Sequence, residues 1–220
     1  MKLGKRLAAI ESIVDGHYDH IWDCCCDHGL LGFQLLEQNK ASNLHFVDIV
    51  PQLLVDVENK LKRFYKGLNQ WHVHCLDVAA LPLTDYPEEK HLVIIAGIGG
   101  QLLIELLRKL MPVARSLNVE FILSPVHHNY QLRVYLSQQK CALIDEYIVA
   151  ENKRFYEVIH LNNKAGTLVS TVGDKMWDFE NPSHQIYLQQ TIKHYQRMAQ
   201  NPDSEVNDII NAYKQLYVLK

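Results

Sequence analysis

Short apolar runs alternate with amphipathic segments along the first two thirds of the chain. The apolar runs suit strands that are covered on both faces. The segments between them place apolar residues at helical spacing, as Leu3, Leu7, Ile10 and Val14 do at the start. The predicted strands cover residues 20–25, 44–48, 71–75, 92–96 and 119–124, and the predicted helices cover residues 3–14, 30–38, 51–66, 101–115 and 129–139.

Strands that alternate with helices predict a parallel, doubly wound α/β sheet. The alternation stops after the fifth strand, where two β-rich segments, residues 142–150 and 155–161, are separated by only a few polar residues. This spacing predicts an antiparallel hairpin. Parallel strands closed by such a hairpin resemble the Rossmann-like sheet of the class I methyltransferases, so that fold class is our expectation.

The last part of the chain has a different pattern. Two narrow apolar stripes, within residues 188–198 and 206–217, predict a C-terminal helical hairpin, with Asp203 or Ser204 as the cap of its second helix. Residues 164–182 carry no clear periodicity and are predicted to be an irregular linker. We therefore expect a first domain at residues 1–162, and a linker with an antiparallel helical pair at residues 163–220.

Composition narrows the class of protein. The 220 residues are 48% hydrophobic and 21% charged with a net charge of -3, which excludes a disordered chain and a strongly basic nucleic-acid binder, although a local basic face stays open. No apolar run approaches the roughly 20 residues of a membrane span. The five cysteines form an odd set with three in a row, which favours reduced thiols and a cytoplasmic protein.

Acidic residues follow three successive predicted strands. Asp23, with Asp27 and His28 behind it, follows the first strand, Asp48 ends the second, and Asp77 follows the third. Ligands of open α/β sheets bind outside these strand ends, where acids can pair with an ammonium group, two ribose hydroxyls and an adenine amine. Each acid alone is better explained as a turn or cap residue. The three together favour a nucleoside cofactor, and the missing G-x-G-x-x-G turn argues against NAD or FAD.

Two other features have competing interpretations. The glycines in Ala96-Gly-Ile-Gly-Gly would let backbone approach a ligand, but a tight turn explains them equally well. Cys24, Cys25, Cys26 and His28 are possible metal ligands. Consecutive strand residues point to opposite faces, however, so we expect buried thiols and no metal.

The twelve histidines look scattered, and the pair His127 and His128 is expected in a loop or a helix cap.

Six motifs together resemble one family. They are Lys2-Leu-Gly-Lys-Arg-Leu, Asp23-x-x-x-Asp-His, Ile95-Ala-Gly-Ile-Gly-Gly, Ile122-Leu-Ser-Pro with Leu132-Arg-x-x-Leu, Ala142-Leu-Ile-Asp-Glu and Phe155-Tyr-Glu-Val. In this order they are similar to the TrmK family, the bacterial tRNA (adenine-22-N1)-methyltransferases, over residues 2–162. The resemblance implies S-adenosylmethionine as cofactor, tRNA as the partner and substrate, and N1 of an adenine as methyl acceptor.

The resemblance also implies roles for residues, matched position by position. The implied cofactor-binding residues are Asp23, Cys25, Asp27, His28, Asp48, Ile49, Asp77, Val78, Ala96, Gly97 and Gly99. The implied substrate-binding residues are Arg6, Gly100, Ser124, Pro125 and Arg133. Asp27 and His28 are the candidates for catalysis. Lys2, Lys5, Lys193 and Arg197 are candidates for contacts with tRNA phosphates.

The chain departs from the family at two places. Cys25 stands where the family has glycine, and Ser124-Pro125-Val126 stands where it has Gln-Pro-Asn. Two alternatives therefore stay open: a protein that binds S-adenosylmethionine or RNA without turnover, and a methyltransferase of small molecules. Oligomeric state is not encoded in these patterns, and a monomer is the working expectation.

Overall fold

The computed structural model describes residues 3–164, 166–201 and 206–217. Its strands are β1 (Tyr18–Cys24), β2 (Ala41–Asp48), β3 (Trp71–Cys75), β4 (Lys90–Ala96), β5 (Asn118–Ser124), β6 (Ala142–Glu151) and β7 (Arg154–Asn162). They form one sheet in the order β3-β2-β1-β4-β5-β7-β6. The first five strands are parallel, and β7 runs antiparallel to both β5 and β6. The expected fold class is confirmed.

The helices lie where the periodicity predicts them, with ends that shift by up to two residues. They are α1 (Lys5–Ile13), α2 (Leu30–Glu37), α3 (Pro51–Phe64), α4 (Gly100–Ala114), α5 (Asn129–Gln138), α6 (Pro182–Met198) and α7 (Asn207–Gln215). Two short 3-10 turns, Val78–Ala80 and Leu83–Asp85, were not predicted, because three residues carry no measurable period. Lys2 and the expected caps Asp203 and Ser204 lie outside the described residues.

Two hydrophobic clusters cover the two faces of the sheet. In β4, Val93 and Ile95 belong to one cluster, and Leu92 and Ile94 belong to the other. All four side chains are fully buried, as the uninterrupted apolar run of this central strand requires. Cys24, the last residue of β1, packs in the first cluster, and Cys26, which follows the left-handed backbone at Cys25, packs in the second.

Helices α6 and α7 share a third cluster, which includes Leu188, Ile192 and Tyr213. Tyr130, at the start of α5, packs against it and connects the helical pair to the sheet domain. The segment before α6 is irregular, as expected, yet Val169 and Met176 in it are buried.

Arg133 corrects one expectation from the sequence. Its side chain is fully buried, and its guanidinium donates to Glu157 Oε2 at 2.5 Å and to Glu146 Oε2 at 2.7 Å. Burial alone would lower the pKa of this guanidinium, but Glu157 and Glu146 raise it above its ordinary value. Arg133 also donates to the Ser170 carbonyl at 3.1 Å. It therefore holds the irregular segment on the hairpin and is not available to a substrate.

The histidines are not scattered as expected. His74, His45 and His20 form a chain of hydrogen bonds across β3, β2 and β1, with nitrogen-to-nitrogen distances of 2.9 and 2.8 Å, and His20 continues it to Glu89. His45 also stacks on Trp22 with ring centroids 3.7 Å apart. Burial, together with the neighbouring histidines, lowers the pKa of His45 to about 2. His45 is thus a neutral, packed part of the core.

Candidate functional site

A cavity of about 200 Å³ lies at the carboxyl ends of β1 and β4, beneath α1. Strand ends meet there because all five parallel strands point the same way, and the loops that follow them supply the walls. The lining residues are Arg6, Leu7, Asp23, Cys24, Cys25, Cys26, Asp27, His28, Leu30, Leu31, Ala96, Gly97 and Ile98.

Asp23 is the buried acid of this cavity. It is 4% exposed, and the structure shows one hydrogen bond to its carboxylate, which Oδ2 accepts from the Gly32 N–H at 2.9 Å. Burial raises its pKa from 3.8 to about 7; the Gly32 N–H opposes this rise, and the charge of Asp48 adds to it. A cationic group bound beside Asp23 would supply the missing counter-charge.

The loop after β1 has an unusual backbone. Cys25 has φ 56° and Asp27 has φ 51°, the left-handed region that favours glycine. The bend brings the Asp27 N–H to Asp48 Oδ2 at 3.1 Å, while Asp48 Oδ1 accepts from the Val50 N–H at 3.0 Å. Asp48 thus ties the loop after β1 to the loop after β2.

The remaining expected cofactor residues lie outside the cavity, farther along the same edge of the sheet. Ile49 is 69% exposed although it is apolar, and Val78 is buried. Asp77 is exposed and caps the turn Val78–Ala80, accepting from the Ala79 N–H at 2.9 Å. The capping role that was the alternative for Asp77 is therefore present, and its second carboxylate oxygen is left for another donor.

Arg6 forms the wall between this cavity and the next. A Cβ at Gly97 would lie 3.3 Å from Arg6 Nη2, and Gly97 has φ 92°, so glycine is needed here for both space and backbone. The Arg6 guanidinium lies 4.9 Å from the centroid of the Tyr156 ring. Its Nε is buried and has no hydrogen-bond partner among the described residues.

A larger groove of about 530 Å³ opens on the other side of this wall. It lies between the loop after β5, the hairpin of β6 and β7, and helix α6. Aromatic rings and basic groups dominate its lining, which includes Tyr130, Phe155, Tyr156, Tyr187, Tyr195, Tyr213, His127, His128, His194, Lys153 and Arg154. Tyr156 lines the groove and stacks on Arg6, which lines the cavity, so the two spaces adjoin.

Comparison with known proteins identifies this arrangement. Residues 3–159 match the family model described as a methyltransferase domain. The chain belongs to the methyltransferase domain family. The tRNA (adenine(22)-N(1))-methyltransferase of Bacillus subtilis is 28% identical to this methyltransferase over 232 aligned positions, which cover 94% of the chain and 90% of the relative.

Solved structures agree with the fold. Streptococcus pneumoniae Sp1610 in complex with S-adenosyl-L-methionine is 22% identical with a TM-score of 0.79, and the match covers 97% of this chain and 99% of that one. M. capricolum TrmK in complex with S-adenosyl-homocysteine is 19% identical with a TM-score of 0.75, and 98% of both chains is covered. B. subtilis TrmK has a TM-score of 0.71 at 23% identity, over 97% of this chain and 98% of that one.

The structure brings together only some of the residues that were expected at the site. Asp23, Cys25, Asp27, His28, Ala96 and Gly97 line one cavity together with Arg6, which was expected to contact substrate. Asp27 and His28 are exposed, with Asp27 Oδ1 and His28 Nε2 3.7 Å apart. Ser124, Pro125 and Gly100, which were expected to contact substrate, are buried and line neither the groove nor the cavity.

Two features of the site were not predicted. His127 and Tyr156 line the groove, but the pair His127 and His128 was expected only in a loop or a helix cap, and His128 is indeed the N-cap residue of α5. Tyr156 belongs to the motif Phe155-Tyr-Glu-Val. The family resemblance therefore pointed to this residue but implied no role for it. Among the described residues, no group of three or more histidines, cysteines or acids could hold a metal ion, and no helix is long and apolar enough to cross a membrane.

Proposed function

We propose that this methyltransferase transfers a methyl group from S-adenosylmethionine to N1 of adenine 22 in tRNA. The observation that carries the proposal is the contact between Arg6 and Tyr156, which joins an acid-lined cavity to an aromatic, basic groove. The named function of the B. subtilis relative, aligned over 94% of this chain, supplies the tRNA position.

The cavity suits the amino-acid end of the cofactor. Asp23 is a buried acid whose pKa is raised chiefly by burial, and the cofactor ammonium would supply a positive partner for its carboxylate. The buried Nε of Arg6 lacks an acceptor among the described residues, and the cofactor carboxylate is one. Both groups line the same cavity, so a zwitterion satisfies both.

The edge of the sheet beyond the cavity suits the nucleoside end. Asp48 keeps lone pairs for the ribose hydroxyls while its two backbone hydrogen bonds hold it in place. The free oxygen of Asp77 would accept from the adenine amine, and the exposed Ile49 offers an apolar surface to the adenine ring. Cys25 has φ 56°, a backbone shape that favours glycine, so this loop forms with a side chain at position 25.

Methyl transfer to adenine N1 needs no strong acid or base from the protein. When bound, S-adenosylmethionine supplies a methyl group on a positively charged sulfur. Adenine N1 carries a free lone pair at neutral pH, so the protein's task is to orient the base and to exclude water. Asp27 and His28 border the cavity, where a carboxylate favours the positive charge that develops on the methylated base.

The groove suits an unstacked nucleotide. Its rings can stack on a base, and Lys153 and Arg154 can contact phosphates. Lys193 and Arg197 line a second hollow on α6 and would extend the contact with tRNA. In this proposal residues 1–162 carry the chemistry, residues 163–220 hold the RNA, and the protein works in the cytoplasm, where its five free cysteines stay reduced.

Calorimetry followed by methyl transfer tests the proposal. Binding of S-adenosylmethionine is expected to weaken in Asp48→Ala, and labelled methyl should enter a tRNA transcript with adenine at position 22 but not one with guanine there. Cofactor binding without label in any RNA would show a protein without turnover. Label in a metabolite extract and none in tRNA would show a small-molecule methyltransferase.

A further inference from the structure

We infer that His127 contacts the acceptor adenine and accepts a hydrogen bond from its exocyclic amine. The inference rests on the proposed function and adds a specificity-determining residue to it. It concerns the loop after β5, where Ser124 and Val126 replace the two amide residues of the similar family. Neither Ser124 nor Pro125 lines the groove, whereas His127 does.

The backbone places His127 between the cavity and the groove. The Val126 N–H donates to the Ile98 carbonyl at 2.9 Å, and the Gly100 N–H donates to the His127 carbonyl at 3.0 Å. These bonds fasten the loop after β5 to the glycine loop after β4. Ile98 lines the cavity and His127 lines the groove, so the ring of His127 stands at their border.

Gly99 makes room for the ring. A Cβ at position 99 would collide with Cε1 of His127 and lie 2.9 Å from its Nε2. The Cε1 atom of the ring therefore lies nearest the glycine loop after β4, and Nε2 lies beside it. Any other residue type at position 99 would force the ring of His127 to move.

The hydrogen-bond pattern leaves Nε2 available. His127 Nδ1 lies 2.8 Å from His128 Nδ1, and Nε2 of His127 has no hydrogen-bond partner among the described residues. Burial, and then the nearby imidazoles of His127 and His194, lower the pKa of His128, which favours a neutral ring at position 128. When Nδ1 of His127 donates to His128, Nε2 carries a lone pair that can accept from an N–H group.

An acceptor at this place favours methylation of adenine. The N1 lone pair forms the bond to the methyl carbon while the carbon–sulfur bond breaks and its electron pair stays on sulfur. Positive charge thereby moves from sulfur to the adenine ring, and it makes the exocyclic N–H a stronger donor. A hydrogen bond from this amine to Nε2 of His127 is thus stronger in the transition state than in the bound substrate, which is the condition for faster turnover. A guanine presents a carbonyl oxygen at the equivalent position, which an acceptor repels.

A cycle of protein and substrate changes tests the contact. Wild type and His127→Ala are assayed on tRNA with adenine at position 22 and on tRNA with purine, which lacks the amine, at that position. The electronic effect of losing the amine is common to both enzymes. The preference for adenine over purine in kcat/KM is expected to be roughly three- to tenfold larger in wild type than in His127→Ala, as one hydrogen bond allows.

The controls separate this contact from folding and from the proposed function. His127→Gln, whose amide oxygen also accepts, should recover most of the preference for adenine. His17→Ala, at an exposed histidine far from the groove, should keep all of it. An equal preference in wild type and His127→Ala, with methylation of adenine 22 intact, would overturn the inference alone. No methylation of tRNA by wild type would overturn the proposed function together with it.

Discussion

The buried cluster around Arg133 gives the most quantitative prediction for stability. Arg133, Glu146 and Glu157 are all fully buried, so Arg133→Ala leaves two carboxylates without their cation. Removal of one partner from a buried ion pair costs about 3–5 kcal/mol. Here each carboxylate keeps another donor: Tyr187 Oη lies 2.6 Å from Glu157 Oε1, and the Asp174 N–H lies 2.6 Å from Glu146 Oε1. The expected loss is therefore near the lower limit, about 3 kcal/mol.

Thermal and urea denaturation measure this loss. For a chain of this length about 3 kcal/mol corresponds to a decrease of roughly 6–12 °C in Tm. Arg115→Ala removes an exposed arginine and should change the free energy of unfolding by less than about 0.5 kcal/mol. The triple variant Arg133→Met, Glu146→Gln, Glu157→Gln removes every charge of the cluster and should be more stable than Arg133→Met alone. The reasoning is refuted if Arg133→Met and the triple variant unfold at the same urea concentration.

Three further predictions concern the loop after β1, the cavity and the histidine chain. Cys25→Val should lower the free energy of unfolding by about 1–2 kcal/mol because residue 25 has φ 56°, whereas Cys25→Gly should not lower it. Equal Tm values for the two variants in a thermal melt would contradict this reasoning. The pKa of Asp23 is raised to about 7, so its contribution to stability is full below about pH 4 and is lost as the pH rises through 7. Asp23→Asn should therefore stabilise the ligand-free protein at pH 8 but not at pH 5, and a difference in Tm between variant and wild type that does not change with pH would contradict this. The affinity of wild type for the cofactor should rise from pH 6 to 8, and a dissociation constant that is independent of pH would contradict that. The pKa of His45 is lowered to about 2, so its contribution is present above about pH 6.5 and is lost as the pH falls, by up to about 1.4 kcal/mol per pH unit. His45→Phe should flatten the fall in unfolding free energy between pH 6.5 and 5, and an unchanged slope would count against the neutral core.

Most of the fold could be predicted because it follows from local pattern. The run of apolar residues in β4 identifies a central strand, and the short polar turn between β6 and β7 identifies the hairpin that ends the parallel order. The position of the acids at one edge of the sheet could also be predicted, since the carboxyl ends of parallel strands meet there. Asp23 lies one residue before the carboxyl end of β1, and Asp48 is the last residue of β2, so their place in the sequence assigns both to this edge.

Other parts of the site depend on contacts between distant residues. The family resemblance implied that Arg133 binds substrate, and only its contacts with Glu146 and Glu157 reveal a buried structural role. The contact between Arg6 and Tyr156 joins residues 150 positions apart, which no local pattern reports. A signal for the histidine chain did exist, because His72 and His74 alternate along β3 and so share a face of the sheet.

The central claim is methyl transfer to one position of tRNA, and nucleotide mapping tests it most directly. Bulk tRNA from cells with and without this protein is digested and analysed by mass spectrometry for N1-methyladenosine at position 22. The account predicts that this nucleotide is present only in cells that contain the protein, and that purified protein with S-adenosylmethionine restores it in tRNA from cells that lack it. An unmodified adenine 22 in both cell types, or a methyl group at another nucleotide, would contradict the account.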